Sequence, residues 1–263
     1  MPDTAPTLVW FRRDLRLSDH AALDAAARRG GPVIPVFIRD RAVDALGTAP
    51  QWRLGLGVGH HAEALRDKGS RLILRSGAAL PELRRLIEET GARAVYWMRA
   101  YDPLSVERDS AVKSALKDDG IEVESFPGHV LFEPWTVETK TGGYYKVYTP
   151  FWRAVKDREV PEPIPASSRI PAPESWPDSE TLDDWQLGQG MDRGAEIVRP
   201  YVRLGESAAQ SRLGAFVGSK LDHYPELRDL PGEDGTSCLS ENLSLGEITP
   251  AQCWHAARRA AEG

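Results

Sequence analysis

The residues best suited to chemistry fall into two short clusters, one near each end of the sequence. The first cluster, WFRRDLRLSD, places Arg12, Arg13 and Arg16 close to Asp14 and Asp19. It follows a predicted strand, and open α/β sheets bind ligands in the loops at the carboxyl ends of their parallel strands. The same charges could instead form a structural network in which the arginines pair with the two aspartates. From the residues alone, both interpretations stay open.

The second cluster places three hydroxyl groups within five residues, at Thr236, Ser237 and Ser240. Short hydroxyl side chains near the start of a helix offer hydrogen-bond donors to an anion, and the helix dipole favours negative charge there. The same pattern is also an ordinary helix cap, because serine and threonine readily bond to nearby backbone groups. The cluster therefore suggests an anion site without establishing one.

Several common kinds of site lack any signal in this sequence. No glycine-rich phosphate loop of the dinucleotide-binding or P-loop type occurs, and no nucleophile elbow is present. The two cysteines, Cys238 and Cys253, form no metal-binding pair, so we expect free thiols and no metal site. The net charge of −6 gives no overall attraction to nucleic acid, so DNA binding would need a local basic patch.

The first half of the sequence predicts an α/β fold with a mostly parallel sheet covered on both faces. Predicted strands span residues 8–11, 33–38, 71–74, 94–98 and 122–126. Predicted helices between them span residues 19–29, 52–68, 80–89 and 105–118. Ser18 is a candidate N-cap for the first helix, and glycines 30, 69, 91 and 120 stand just beyond the four helix ends.

The second half is organised differently. A proline-rich stretch at residues 161–177 favours extended backbone and predicts a surface linker that buries little. Helical periodicity returns at residues 207–221 and 249–261, where Thr249 can cap the last helix with Pro250 at its first position. These few helices would form a small domain of marginal stability on their own.

The WFRRDLR segment resembles the opening motif of DNA photolyases and cryptochromes. The sequences PVFI, LFEP and KVYTPF continue the resemblance, although Thr149 and Pro150 in the last of them also form an ordinary helix start. The resemblance implies a Rossmann-like antenna domain at residues 1–130, a linker at 131–196, and the opening helices of an all-α FAD-binding domain at 197–263. It also implies that the chain is the N-terminal part of a deoxyribodipyrimidine photolyase, truncated before that domain is complete.

The resemblance assigns roles to individual residues of the second half. Those expected to bind FAD are Tyr224, Thr236, Ser237, Cys238, Leu239 and Ser240, and Arg228 is expected to reach a DNA phosphate. From the residues alone, Tyr224 suits core packing and Arg228 suits an ion pair with Asp229. Cys238, Glu241 and Leu245 depart from the family pattern, and an added carboxylate beside a diphosphate should weaken FAD binding.

The function implied by the resemblance is light-driven repair of cyclobutane pyrimidine dimers in UV-damaged DNA by electron transfer from reduced FAD. The alternatives are a cryptochrome-type photoreceptor and a non-catalytic remnant of the antenna domain. The resemblance leaves open whether the chain binds an antenna chromophore, of folate or deazaflavin type. Leu104 and Ser105 stand near the position where folate-binding members carry a polar pair. The chain has neither a secretion signal nor an apolar run that could span a membrane, so we expect a cytoplasmic protein. We also expect it to be a monomer.

Overall fold

A five-stranded parallel sheet organises the first half of the chain in this computed structural model, which describes residues 4–262. The strands are β1 (Thr7–Phe11), β2 (Val33–Arg39), β3 (Ile73–Ser76), β4 (Ala94–Met98) and β5 (Glu122–Phe126), in the order β3-β2-β1-β4-β5. This order reverses direction between β1 and β4, which places a ligand-binding crevice at the carboxyl ends of those strands. The predicted α/β fold is confirmed.

The strand boundaries follow backbone pairing more closely than local composition. The third strand was predicted at residues 71–74, but β3 begins two residues later because its ladder pairs Ile73 with Val36 and ends with Ser76 opposite Arg39. The predictions at residues 94–98 and 122–126 agree with β4 and β5.

The helices that cover the sheet are α1 (Ala21–Arg29), α2 (Arg41–Asp44), α3 (Thr48–Asp67), α4 (Ala79–Thr90) and α5 (Pro103–Asp118). Ser18 does not cap α1; the Nδ1 atom of His20 accepts the N–H of Leu23 at 3.1 Å instead. Helix α3 begins four residues before its predicted start, because Pro50 is compatible with the first turn of a helix. Left-handed glycines end α1 and α4 as predicted.

Both faces of the sheet are buried, which explains the continuous apolar character of the strands. Val9 and Phe11 face one core cluster together with residues of α1 and α3. Leu8 and Trp10, which alternate with them, face a second cluster together with residues of α4 and α5. The sheet therefore has one helix layer on each side.

The connecting segment lies along the sheet domain more tightly than the sequence predicted. The N–H of Val33 donates to the carbonyl of Pro171 at 2.7 Å, and the side chain of Ile170 is 1% exposed. The expectation that this segment buries little is therefore wrong at Ile170. The helix α6 (Tyr148–Val155) precedes this stretch with Val147 at its N-cap, so the helix start expected at Thr149 and Pro150 is present but begins earlier, at Tyr148.

The second half contains α7 (Arg193–Val198), α8 (Gly205–Ser219), α9 (Tyr224–Leu227), α10 (Ser240–Ser244) and α11 (Pro250–Glu262). Short 3-10 turns lie at Pro134–Thr136, Leu182–Trp185, Gln189–Met191 and Arg199–Tyr201. The cap of α11 is reciprocal: Thr249 Oγ1 accepts the N–H of Gln252 at 3.0 Å, and Gln252 Oε1 accepts the N–H of Thr249 at 2.9 Å.

A small apolar core holds these helices together, made of Ala209, Leu213, Leu239 and Ile248. The domain boundaries at residues 130 and 196 remain predictions. Within residues 4–262, each helix is too short or too polar to cross a membrane.

Candidate cofactor site

The residues predicted to bind the cofactor lie on α9, on α10 and on the loop between them. Tyr224 opens α9, and its half-buried ring packs edge-on against Phe216 of α8 with the centroids 5.6 Å apart. Arg228 follows α9, with its guanidinium 5.6 Å from the Tyr224 centroid and 3.4 Å from the Asp229 carboxylate. The side chain of Arg228 is 53% exposed, so this ion pair leaves it accessible to a phosphate.

The loop from Thr236 to Ser240, which we call the hydroxyl loop, leaves its donors free. Within residues 4–262, the hydroxyls of Ser237 and Ser240 form no hydrogen bond, and the N–H groups of residues 237–240 have no acceptor. Thr236 Oγ1 lies 3.5 Å from Cys238 Sγ, and Cys238 adopts a left-handed backbone with φ of 52°. Unpaired N–H and O–H donors on one loop suit a diphosphate, so these residues fit the expected group.

Leu239 anchors the hydroxyl loop to the helical core. Its side chain is 4% exposed and packs with Leu213 and Ile248, whereas Ser240 beside it is exposed. Gly235, just before the loop, lies against α9 so closely that a Cβ atom there would stand 2.3 Å from the Cβ of Leu227. The loop and α9 are thus adjacent, but the described residues show no contact between the Tyr224 ring and the three hydroxyls.

Two arginines that the sequence analysis missed, Arg212 and Arg53, bind the hydroxyl loop and the residues just after it. Arg212 donates to the carbonyl of Cys238 at 3.0 Å and to Asn242 Oδ1 at 2.9 Å, and it also binds Glu241. Arg53 of α3 binds Glu241 at 3.0 Å and Glu247 at 2.6 Å. The sequence offers no local signal for these pairs, because Arg53 and its partners are almost 200 residues apart.

These contacts determine the charge of Glu241, one of the residues that depart from the family pattern. Burial raises the pKa of Glu241, but hydrogen bonds from Arg53 and Arg212 outweigh that effect and lower it. The carboxylate is therefore ionised and compensated by two guanidinium groups. The expectation that Glu241 weakens FAD binding remains a prediction, and these two cations oppose it.

The arginines of the WFRRDLR segment form no ion pair with the side chains of Asp14 and Asp19, the pairing that was one of the two interpretations left open by the sequence. Arg16 is 1% exposed and donates to the backbone carbonyls of Asp19 and Gly246, at 2.8 and 3.0 Å. Arg12 binds Asp109 at 3.2 Å, and Asp14 binds His20 at 3.0 Å. Burial opposes ionisation of Asp14, but the hydrogen bond from His20 and nearby positive charges hold its pKa well below the usual range.

The same segment is the surface on which the helical half docks. Glu206 of α8 accepts the N–H groups of Leu17 and Ser18 at 2.8 and 3.1 Å, together with the Ser18 hydroxyl. Gln252 of α11 donates to Ser18 Oγ at 2.7 Å, and Thr249 donates to the carboxylate of Asp19. The segment thus acts structurally, fixing the orientation of the helices that carry the hydroxyl loop.

A separate cavity of about 430 Å³ lies at the carboxyl edge of the sheet, where the strand order reverses. Its lining includes Arg12, Arg13 and Arg108 and the carboxylates of Asp40 and Asp102, beside Phe37 and Tyr101, among other residues such as Leu104 and Ser105 of α5. Arg12 and Arg108 are held by Asp109 and Asp40, whereas Arg13 forms no ion pair within residues 4–262. Cations beside aromatic rings suit a planar ligand with an acidic tail. This crevice and the hydroxyl loop are two distinct candidate cofactor sites.

Comparison with known proteins identifies one family. The family described as DNA photolyase matches residues 7–172. The chain is 45% identical to a deoxyribodipyrimidine photo-lyase of Agrobacterium fabrum over 97% of this chain and 53% of that protein. It is 31% identical to cryptochrome-2 of Arabidopsis thaliana over 96% of this chain and 42% of that protein.

A solved structure shares the fold closely. The crystal structure of a bacterial class III photolyase from Agrobacterium tumefaciens superimposes with a TM-score of 0.92 at 43% identity, covering 99% of this chain and 54% of that one. The chain spans about half the length of the curated photolyases that it matches.

Proposed function

The chain belongs to the DNA photolyase family, and on that premise we propose that it forms part of an enzyme that repairs cyclobutane pyrimidine dimers in UV-damaged DNA with light. The observation that carries the proposal is the 45% identity to a deoxyribodipyrimidine photo-lyase over 97% of the chain. Reduced FAD, when bound, supplies the electron that splits the dimer. The described residues contribute binding and orientation, which is the usual role of the protein in a cofactor enzyme.

The hydroxyl loop is proposed to hold the FAD diphosphate. Ser237 and Ser240 would donate their hydroxyls, Thr236 would stand beside them, and the free N–H groups from Ser237 to Ser240 would complete the anion site. Leu239 fixes the loop on the helical core, and Cys238 turns it through its left-handed backbone. Tyr224 would lie along the cofactor, and Arg228 would bind a DNA phosphate.

The crevice at the sheet edge is proposed as the antenna site. Arg13, which lines the crevice and has no ion-pair partner within residues 4–262, favours a chromophore with an acidic tail, a property that folates and deazaflavins share. Adding each chromophore in turn and measuring its fluorescence distinguishes the two classes. Arg13→Glu should weaken binding, because Arg13 lines the crevice, whereas Arg71→Glu, on the exposed residue that precedes β3, should leave it unchanged.

The cryptochrome alternative is less favoured, because the cryptochrome relative is 31% identical and the photo-lyase relative is 45% identical. A photoreceptor would bind flavin without repairing DNA, so a repair assay separates the two. The remnant alternative predicts that the chain binds no flavin. We also propose that the protein is cytoplasmic and monomeric, as the sequence analysis expected.

The first experiment measures the visible absorption of the purified chain after incubation with FAD and desalting. We expect retained flavin bands, and we expect Ser237→Asp to remove them because a carboxylate in the hydroxyl loop repels the diphosphate. Ser207→Asp is the matched control, since Ser207 is exposed in the first turn of α8, where a carboxylate is tolerated.

The second experiment illuminates the FAD-loaded chain with an oligonucleotide that carries a single cyclobutane dimer, and measures repair by chromatography. Light-dependent repair supports the proposal. A protein that stays colourless after FAD incubation and repairs nothing supports the remnant instead. Bound flavin without repair, in this chain and in a fusion with the unmatched part of the Agrobacterium photolyase, favours the photoreceptor.

A further inference from the structure

The backbone of the hydroxyl loop has a conformation that suits an anion. Cys238 lies in the left-handed region with φ of 52°, and Leu239 after it is right-handed, with φ of −81° and ψ of −4°. Neighbouring residues of opposite handedness make successive N–H groups converge on a concavity that binds anions, which is called a nest. The N–H groups of Cys238, Leu239 and Ser240 have no acceptor within residues 4–262. We call these three residues the loop nest.

The left-handed conformation of Cys238 needs support from its surroundings. A Cβ atom makes that region unfavourable, and residues with larger side chains than glycine rarely occupy it. Cys238 is exposed, and the one hydrogen bond of its thiol in the described part of the chain spans 3.5 Å to Thr236 Oγ1. Thiols bond weakly, so the support must come through main-chain groups.

Arg212 of α8 supplies that support. Its Nη1 atom donates to the carbonyl oxygen of Cys238 at 3.0 Å, and its side chain is 20% exposed. The peptide between Cys238 and Leu239 is trans, so this C=O and the Leu239 N–H point in opposite directions. By binding the carbonyl, Arg212 therefore directs the Leu239 N–H away from its own guanidinium.

A closed ring of hydrogen bonds holds the guanidinium of Arg212 in place. Arg212 binds Glu241 and also donates to Asn242 Oδ1, at 2.9 Å. Arg53 joins the two carboxylates of the ring, with Glu241 at 3.0 Å and Glu247 at 2.6 Å. Asn242 Nδ2 closes the ring by donating to Glu247 at 2.7 Å, and Asn242 is fully buried. Arg212 therefore has little freedom to leave the carbonyl that it binds.

The charge of Arg212 is not free to attract a diphosphate by itself. Two carboxylates, Glu241 and Glu247, balance the two guanidinium groups of Arg212 and Arg53. The contribution of Arg212 is therefore geometric. We propose that Arg212 is a positioning residue, which holds Cys238 in its left-handed conformation so that the loop nest receives the FAD diphosphate. This inference rests on the proposed function, because it concerns the same loop.

The first test measures the dissociation constant of FAD by fluorescence titration, in the unaltered chain and in Arg212→Gln. Glutamine keeps a polar, helix-forming residue on α8 but is too short to reach the carbonyl. We expect FAD to bind at least about tenfold more weakly, since a hydrogen bond to a charged group is worth about that factor.

The matched control is Arg39→Gln. Arg39 of β2 also binds one carboxylate, that of Asp44 at 2.8 Å, and one backbone carbonyl, that of Trp185 at 3.0 Å. These contacts lie outside the hydroxyl loop, so the control should bind FAD like the unaltered chain. An Arg212→Gln chain that binds FAD as tightly as this control overturns the proposal.

A second test separates positioning from a general effect on stability. Glycine adopts the left-handed conformation freely, so Cys238→Gly should restore part of the FAD affinity that Arg212→Gln loses. The gain should be larger in the Arg212→Gln background than in the unaltered chain, because the two changes act on one backbone conformation. An arginine that only stabilised the fold would not be rescued in this way. An equal effect of Cys238→Gly in both backgrounds overturns the proposal.

A third comparison leaves Arg212 in place and covers the case in which Arg212→Gln does not fold. Left-handed backbone is especially unfavourable for β-branched residues, so Cys238→Val should bind FAD more weakly than Cys238→Gly. Equal affinities of these two variants overturn the proposal.

The outcomes also separate this inference from the proposed function. FAD bound by the unaltered chain and equally well by Arg212→Gln defeats the inference alone and leaves the cofactor site standing. If only a fusion with the unmatched part of the Agrobacterium photolyase binds FAD, the same variants are made in that fusion. If neither the chain nor the fusion binds FAD, the proposed cofactor site fails, and the role of Arg212 fails with it.

Discussion

Arg53 lies between two carboxylates and stabilises the network beneath the hydroxyl loop. The Glu247 side chain is 1% exposed, so replacing Arg53 by methionine would leave a buried carboxylate without its cation. Removing one partner of a buried pair costs about 3 kcal/mol or more, and we expect Arg53→Met to lower the free energy of unfolding by that amount. Urea unfolding followed by circular dichroism measures it.

The control for Arg53 is Arg84→Met. Arg84 pairs with Asp119 at 2.7 Å, but both side chains are substantially exposed, so solvent screens this pair. We expect no measurable change in its urea midpoint. If both variants unfold at the same urea concentration, the network beneath the loop has no special role in stability.

His61 gives the fold a pH dependence with a definite sign. It is 2% exposed, its Nε2 atom has no hydrogen-bond partner in the described chain, and its ring packs 4.6 Å from Phe11. Burial lowers the pKa of His61 to about 3. The folded state therefore keeps it neutral while the unfolded chain takes up a proton below pH 6.5, so stability falls as the pH falls from 6.5 towards 3.

Lowering the pH from 7.5 to 5 therefore reduces the free energy of unfolding by about 2 kcal/mol through His61. We expect His61→Leu to remove about that much of the acid sensitivity, measured as the free energy of unfolding at the two pH values. His223→Leu should keep the full sensitivity, because His223 is 66% exposed. Equal pH dependence in the unaltered chain and in His61→Leu would falsify this assignment.

For single residues, the sequence predicted which residues form a cluster better than it predicted the partners that they contact. It singled out Arg16 and Asp14 correctly as a cluster, but it could not supply Gly246 or His20 as their partners. Arg16 and Gly246 are 230 residues apart, so a local pattern contains no information about their contact. His20 is only six residues from Asp14, but the sequence analysis did not single it out. The hydroxyl loop was predicted from the family resemblance, and its support by Arg212 became visible only in three dimensions.

Among the structural elements, the turn before α11 lies directly against the sheet domain. Gly246 has a positive φ of 64°, and a Cβ atom there would lie 2.1 Å from the carbonyl oxygen of Arg13. Neither the backbone conformation nor the space admits a side chain, so we expect Gly246→Ala to destabilise the fold by more than about 1 kcal/mol. Thermal unfolding monitored by circular dichroism measures this effect.

The matched substitution is Gly214→Ala in the interior of α8, where a Cβ atom meets nothing within 4 Å. Alanine is the better helix former by about 0.5–1 kcal/mol, so this variant should raise the melting temperature. Opposite signs for the two glycines support the close approach at Gly246. A stabilised Gly246→Ala protein would show that the turn has room to move.

Elements with a strong apolar pattern were predicted well. Elements whose ends are determined by strand pairing or by helix caps were not. β4 and β5 match their predicted bounds, because their boundaries coincide with changes in composition. β3 shifted because its ladder with β2 sets its register, and α1 starts later because His20 replaces Ser18 as its cap. α6 was read only as a possible helix start, because its eight residues are fewer than the 11 or so over which helical periodicity is recognised.

For the molecule as a whole, the question is whether the helical half unfolds together with the sheet domain. Glu206 is the centre of their contact, since it accepts two backbone N–H groups and the hydroxyl of Ser18. Arg16 adds a bond to Gly246, and Thr249 adds one to Asp19. Buried polar groups of this kind are costly to separate, so the contact couples the two halves energetically.

We therefore expect one cooperative transition in which the amides of α11 and of β1 lose protection at the same urea concentration, measured by native-state hydrogen exchange. Glu206→Ala leaves the N–H groups of Leu17 and Ser18 without their acceptor, so the α11 amides should open at a lower urea concentration than those of β1. Glu63→Ala is the control, because Glu63 is 69% exposed. If α11 already opens before β1 in the unaltered chain, the interface is too weak to couple the two halves.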